Sequence, residues 1–162
     1  MSAAFTIGPA HAAMDLDDVR SLFREYGRVP GVDVCVQGFD AEIAALPGVY
    51  AEPRGTLLLA RTGAAAVGCV TIKPVGEGVA EMKRLFVRPD GRGKKIGEAL
   101  TAAAIEAARR RGYARLRLDT LPMMTEARAI YSRLGFREVE PWAQLPIAGA
   151  AYLEVRLKPD PT

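Results

Sequence analysis

Residues 86–100 read FVRPDGRGKKIGEAL. An apolar, strand-like tail passes through Gly91 and Gly93, gathers Arg92, Lys94 and Lys95, and enters Ile96-Gly97-Glu98-Ala99-Leu100, where a helix begins. A strand, a glycine-rich turn and a helix start bring main-chain N–H groups together pointing outward, because the first amides of a helix have no acceptor inside it. The helix dipole adds roughly half a positive charge at that end, so the stretch predicts an anion site suited to phosphate. It is not the phosphate loop of nucleotide hydrolases, which ends Gly-Lys-Ser/Thr. Nor is it the dinucleotide fingerprint, because Ile96 stands where the last glycine would fall.

The flanks have complementary textures. Upstream, GTLLLARTG (55–63), AAVGCVTIKPV (65–75) and VAEMKRLFV (79–87) are three strand-length runs separated by glycine turns, and they predict an antiparallel meander. Downstream, Ile96, Leu100, Ala103, Ala104, Ala107 and Ala108 share one face of a long helix that Gly112 terminates. ARLRLDT (114–120) alternates polar and apolar residues as a half-buried strand does. A further helix carries Met124, Ala127, Tyr131 and Leu134 on one side and stops at Gly135. GFREV (135–139) and AAYLEVRL (150–157) supply closing strands, AFTIGPA (4–10) a first one. DLDDVRSLFREYG (15–27) and FDAEIAALPG (39–48) read as two helices before the meander, the second ending ahead of Pro47. The result is an α/β or α+β layer sandwich, helices covering a mixed sheet.

The chain has 162 residues, of which 49% are apolar and 25% charged, enough to bury the core of one self-sufficient domain, read as residues 5–162. A formal charge of +3, with Arg109-Arg110-Arg111 as the longest cationic run, argues against nucleic acid as partner. Cys35, Cys69 and the single histidine, His11, are too few for a disulfide framework or a metal cluster. No leader or apolar run of membrane-spanning length is present, so the expectation is a cytoplasmic protein with neither membrane nor metal partner.

Arg92-Gly93-Lys94-Lys95-Ile96-Gly97 resembles the Arg/Gln-x-x-Gly-x-Gly/Ala acyl-CoA loop of the GNAT superfamily of acetyl-CoA-dependent N-acetyltransferases. RLFVRPDGRG (84–93) is similar to that family's strand ending and connector, and EARAIYSRLGF (126–136) to its later helix signature, so the likeness runs over most of the chain. The resemblance implies a mostly antiparallel sheet of about seven strands flanked by about four helices. It also implies acetyl-CoA as co-substrate, held by the main chain of residues 92 to 97, and an amine as acceptor. The departure is Lys95, where the pattern has its first glycine. A lysine supplies the same main-chain N–H provided that its φ is negative, as at a helix start, and that is the expectation here.

Site roles follow from the same resemblance. Tyr131 corresponds to a tyrosine that protonates the departing thiolate, which a phenol of pKa about 10 can do without ionising first. Glu81 corresponds to a glutamate base used by some members, its pKa raised by desolvation; pairing with Lys83 or Arg84 is the competing reading. The main chain of Leu85, Phe86 and Val87 is implied as the cofactor-contacting strand, with N–H donors for the acyl carbonyl around Leu85 and Val87. The asparagine that many relatives carry after the fifth strand is absent from LDTLPMMTEA (118–127), where Asp119 and Thr120 stand. Arg54, as a carboxylate anchor, and Trp142 and Tyr152, as aromatic walls, are candidates for the acceptor pocket of a small-molecule amine.

Without a histidine near either cysteine, direct transfer in a ternary complex is favoured over a covalent intermediate. Two other readings stay open: a catalytically silent CoA or acyl-CoA-binding regulatory module of the same fold, and an interaction domain for polyanions or proteins. An exposed closing strand would leave room for a homodimer.

Overall fold

The computed structural model describes residues 4–32 and 38–158. Cys35 lies outside the described residues. The elements are β1 (Thr6–Pro9), α1 (Ala13–Tyr26), α2 (Phe39–Ala45), β2 (Thr56–Thr62), β3 (Ala65–Gly76), β4 (Val79–Val87), α3 (Ile96–Arg110), β5 (Arg115–Thr120), α4 (Thr125–Arg133), β6 (Arg137–Glu138) and β7 (Ala151–Arg156). They form one seven-stranded sheet in the order β1-β2-β3-β4-β5-β7-β6. Every pairing is antiparallel except β4 with β5, which the α3 crossover makes parallel.

The unbroken apolar run in β2 reflects a strand buried on both faces. Leu58 and Ala60 point into one core with Val70, Ile72, Leu100, Ala104 and Leu116, under α3 and α4. Leu57 and Leu59 point into the other with Val19, Leu22, Phe23, Ile43 and Phe86, under α1 and α2. The alanines of α3 let it lie close to the sheet. A Cβ at Gly68 on β3 would come within 3.0 Å of both Leu100 Cδ1 and the Phe86 carbonyl oxygen, so that position has no room for a side chain. Of the two closing strands, the two-residue β6 forms one edge of the sheet, with β1 at the other, whereas β7 is flanked by β5 and β6.

Two features of β4 shape the site. Its parallel pairing with β5 stops at Glu81–Arg117, although β4 continues to Val87 and β5 to Thr120, so the two strands part and leave a gap in the sheet. Against β3, Lys83 faces Thr71 and Phe86 faces Cys69, which sets two β4 residues, Arg84 and Leu85, against the single Val70. This is a β-bulge, and Arg84 carries it with a φ of +62°. No sequence signal marks the bulge, because an arginine is not a residue that favours positive φ.

Candidate active site

The gap between β4 and β5 begins at a charged cluster. Glu81 is buried, with 4% of its surface exposed, and both of its oxygens are engaged. Arg117 Nε donates to Oε2 at 3.1 Å and Lys83 Nζ lies 3.3 Å from Oε1. Lys83 also reaches toward Asp119, at 3.9 Å. Period-2 alternation puts Glu81 and Lys83 of β4, and Arg117 and Asp119 of β5, on the face opposite α3, since Ala80, Met82, Leu116 and Leu118 pack into the core beneath that helix. Burial pushes the Asp119 carboxyl above the usual carboxylate range; the Glu81 charge adds to this, and Lys83, Arg84 and Arg117 oppose it.

Tyr131 belongs to the other face of the sheet, in the core that α3 and α4 cover. It is buried on α4, its ring edge-on to Phe136 at 5.6 Å between centroids. Burial, with smaller contributions from Tyr26 and Asp119, raises the phenol well above its ordinary pKa, so it is fully protonated at neutral pH.

The glycine loop lies where β4 ends. Arg92, Gly93, Lys94 and Lys95 are exposed, Ile96 is buried beneath them, and Gly97 opens the first turn of α3. Ala99 N–H bonds the Lys95 carbonyl, while the amides of Ile96, Gly97 and Glu98 have no backbone acceptor among the described residues. Glu98 would oppose an anion there, but Arg133 of α4 takes its carboxylate in two hydrogen bonds of 2.9 and 2.7 Å. Arg92 donates to the Val87 carbonyl at 3.3 Å, and Lys94 and Lys95 form no ion pair among the described residues.

The expectation for Lys95 is overturned: its φ is +63° and its ψ 22°, in the left-handed region. The loop must turn there before the helix can begin. An L-residue pays about 1–2 kcal/mol for that conformation, which is why glycine suits the position. Lys95→Gly is therefore expected to stabilise the fold by ~0.5–1 kcal/mol, the relieved strain less the ~0.4–1 kcal/mol that glycine's freedom costs through the unfolded chain. Because the main-chain amide is kept, affinity for coenzyme A should stay within roughly threefold. A lower melting temperature for the variant would contradict the strain assignment.

The remaining candidates separate into near and far. Leu85 and Val87 are half-buried toward the α3 core and Phe86 is buried toward α1, with its ring 6.0 Å from Tyr26, so this strand segment borders the gap. Trp142 and Tyr152 meet edge to face at 4.9 Å, and the Arg117 guanidinium lies over the Trp142 ring at 4.2 Å. Both rings line an open groove of about 620 Å³ with Leu145 and Ile147. Tyr152 is the register partner of Asp119, which joins the groove to the charged cluster. Arg54 is not part of this assembly. It is exposed, and its carbonyl accepts from Tyr113 O–H at 2.7 Å beside the C-terminal end of α3, whereas the loop is at the N-terminal end of that helix. Cys69 is buried and donates to the Arg84 carbonyl at 3.3 Å; burial pushes its thiol up to about 12. His11 is exposed.

Sequence reasoning missed the clamp on the bulge. Arg84 makes a two-pronged contact with Glu42 of α2, Nε to Oε2 at 2.9 Å and Nη2 to Oε1 at 2.8 Å, while Tyr50 O–H donates to Oε2 at 3.0 Å. The guanidinium also lies 4.9 Å from the centroid of the Phe39 ring. Thr71 Oγ1 donates to the Lys83 carbonyl at 2.8 Å, so the bulge is held through main chain and side chain alike.

A loop of free amides at one helix mouth, a parted pair of parallel strands and a bulge beside the gap coincide with sequence similarity. Residues 16–136 match the model of the acetyltransferase (GNAT) family. The chain belongs to that family and is an acyltransferase. It is 36% identical over 154 residues to an uncharacterized N-acetyltransferase of Schizosaccharomyces pombe, the match covering 94% of each chain. Among solved structures, a GNAT-family acetyltransferase from Staphylococcus aureus superposes with a TM-score of 0.79 at 18% identity, covering 96% of this chain and 100% of that one. The PaiA N-acetyltransferase of Thermoplasma acidophilum, solved in complex with coenzyme A, gives a TM-score of 0.73 at 16% identity, covering 94% and 99%. Among the described residues no helix is long and apolar enough to cross a membrane, and no group of side chains is arranged to hold a metal ion.

Proposed function

We propose that the protein transfers the acetyl group of acetyl-CoA directly to a primary amine whose body is apolar or aromatic. The observation that carries this reading is the parting of β4 from β5 after Glu81–Arg117. It leaves the last residues of β4 without a β5 neighbour on the strand that runs to the loop amides, and the proposed path of the thioester follows that strand toward the buried Tyr131 phenol. The amides of residues 96 to 98, with Arg92, Lys94 and Lys95, suit the diphosphate of the coenzyme. Main-chain donors at Leu85 and Val87, on the strand that loses its β5 neighbour, are proposed for the acyl oxygen, where fixed N–H groups are worth ~2.7–4 kcal/mol each. Tyr131 is the proposed acid for the thiolate.

Direct transfer is supported by Cys69, whose buried, hydrogen-bonded thiol is unsuited to carrying an acyl group. The expectation of a base at Glu81 takes a different form. With both oxygens engaged by cations, it is proposed to hold Lys83 and Arg117 in place, and Arg117 in turn braces Trp142. The Trp142–Tyr152 groove supports an acceptor with an apolar body, and the remoteness of Arg54 removes the argument for an acceptor carboxylate. The test is thiol release from acetyl-CoA across a panel of amines. Arylalkyl and alkyl primary amines are expected to react with kcat/KM at least about tenfold above polyamines and free amino acids, the scale of one favourable apolar contact set. A preference for polyamines or amino acids would overturn the acceptor class, and stabilisation by coenzyme A without turnover on any amine would favour the silent binding module.

A further inference from the structure

Nothing in the assignments above takes a proton from the acceptor. At neutral pH a primary amine arrives as an ammonium, and its lone pair must be freed before it can attack. Among the described residues, Asp119 is the carboxylate in the gap that is not closed off by hydrogen bonds. Its side chain is 25% exposed and its nearest cation, Lys83 Nζ, is 3.9 Å away, a distance at which no hydrogen bond forms. By contrast Glu81 is sealed between Arg117 and Lys83. Asp119 lies beyond the last β4–β5 pair, opposite Tyr152 at the start of the aromatic groove, and is felt electrostatically by the Tyr131 phenol. It therefore adjoins the proposed acceptor groove through its register partner Tyr152.

We propose that Asp119 docks the acceptor's ammonium and is the general base of the transfer. The inference rests on the acetyltransferase reading and adds to it the group that activates the nucleophile. The protons balance as follows. Asp119 takes one from the docked ammonium and passes it to solvent. The nitrogen forms its bond to the thioester carbonyl carbon, and the carbon–sulfur bond breaks. The nitrogen loses a second proton as the adduct collapses, which restores the one that Tyr131 gives to sulfur, so that amide, coenzyme A thiol and one solvent proton result. Burial favours this exchange from both sides, raising the carboxyl and lowering the ammonium toward it. Around Asp119, Lys83 of β4 lies 3.9 Å away and Tyr152 of β7 is its register partner, while Glu81 and Arg84 of β4, Arg117 of β5 and the Tyr131 phenol of α4 interact with it electrostatically.

The experiment compares wild type, Asp119→Asn and Lys83→Met by thiol release with the best amine of the panel, from pH 5 to 9, with coenzyme A binding as the control for folding. Wild-type kcat/KM should fall on the acid side with a midpoint above the ordinary aspartate value of about 3.9. Asp119→Asn should lose about 100-fold in kcat, the lower range for a removed general base, lose the wild-type midpoint so that only the rise of the free-amine fraction with pH remains, and bind coenzyme A unchanged. Lys83→Met removes the nearest opposing cation, so the limb should move to higher pH. An acid limb that keeps its wild-type midpoint in Asp119→Asn, or a loss in kcat below threefold, overturns the assignment while leaving the acetyltransferase reading intact. If Asp119→Asn does not fold, a limb unmoved in Lys83→Met overturns it. A wild-type enzyme that acetylates no amine removes both.

Discussion

Tyr131→Phe is expected to lower kcat by about 100-fold while leaving the melting temperature and the affinity for coenzyme A close to wild type. The ring is buried and stacks edge-on against Phe136, and phenylalanine keeps that packing. What it removes is a proton held firmly, because burial raises the phenol above its ordinary value. A thiolate with a pKa of about 8.5 is a poor leaving group in a dry site unless it is protonated as it departs, and a neutral phenol can do this. Steady-state kinetics on an amine whose chemical step limits turnover provide the check. Full turnover by the variant would leave Tyr131 as a core residue.

The second large effect concerns stability and its pH dependence. Arg84→Ala should cost about 3 kcal/mol at pH 7, since it leaves the Glu42 carboxylate without its two-pronged partner and the bulge without its side-chain anchor. For a domain of this size that is a drop of roughly 6–12 °C in Tm. The sign of the pH dependence follows from Glu42. Burial alone would raise its carboxyl, but hydrogen bonds and charge from Arg84, aided by Tyr50, bring it below the usual range. A carboxyl depressed in the folded state contributes stability that is present above its unfolded pKa and lost as pH falls through the folded value. The gap between wild type and Arg84→Ala should accordingly narrow below about pH 4. Denaturant melts at both pH values decide it: an equal loss at each would mean that the pair contributes no net electrostatic stabilisation. Because the bulge sets the strand beside the gap, kcat of the variant should fall as well.

Much of the fold was legible because its signals are local. Glycine turns cut the meander, the alanine stripe of α3 and the stops at Gly112 and Gly135 follow from helix geometry, and both glycines take positive φ. β6 shrank to Arg137–Glu138 because alternation in GFREV is too short to set a boundary. The candidate site could be proposed from sequence at the loop and at Tyr131, where the residue type itself suggests the chemistry. It was not legible where side chains from distant segments meet. Glu42 looks like one more acidic residue on a short helix until Arg84 arrives from 42 positions away. Asp119 reads as a missing asparagine until β4 and β5 part and leave it facing the gap. Arg54 failed for the converse reason: a cation in a loop says nothing about which end of α3 the loop will meet.

The central claim is that the amides at the mouth of α3, with the exposed cations around them, hold a coenzyme A thioester so that it lies along β4 toward Tyr131. Calorimetric titration of coenzyme A into the folded wild-type protein tests it most directly. The account predicts one-to-one binding with a dissociation constant in the micromolar range or tighter, weakened severalfold by Arg92→Ala and by added salt, as phosphate contacts require. A folded protein that takes up no coenzyme A, or binds it equally well without Arg92 and at any ionic strength, would contradict it.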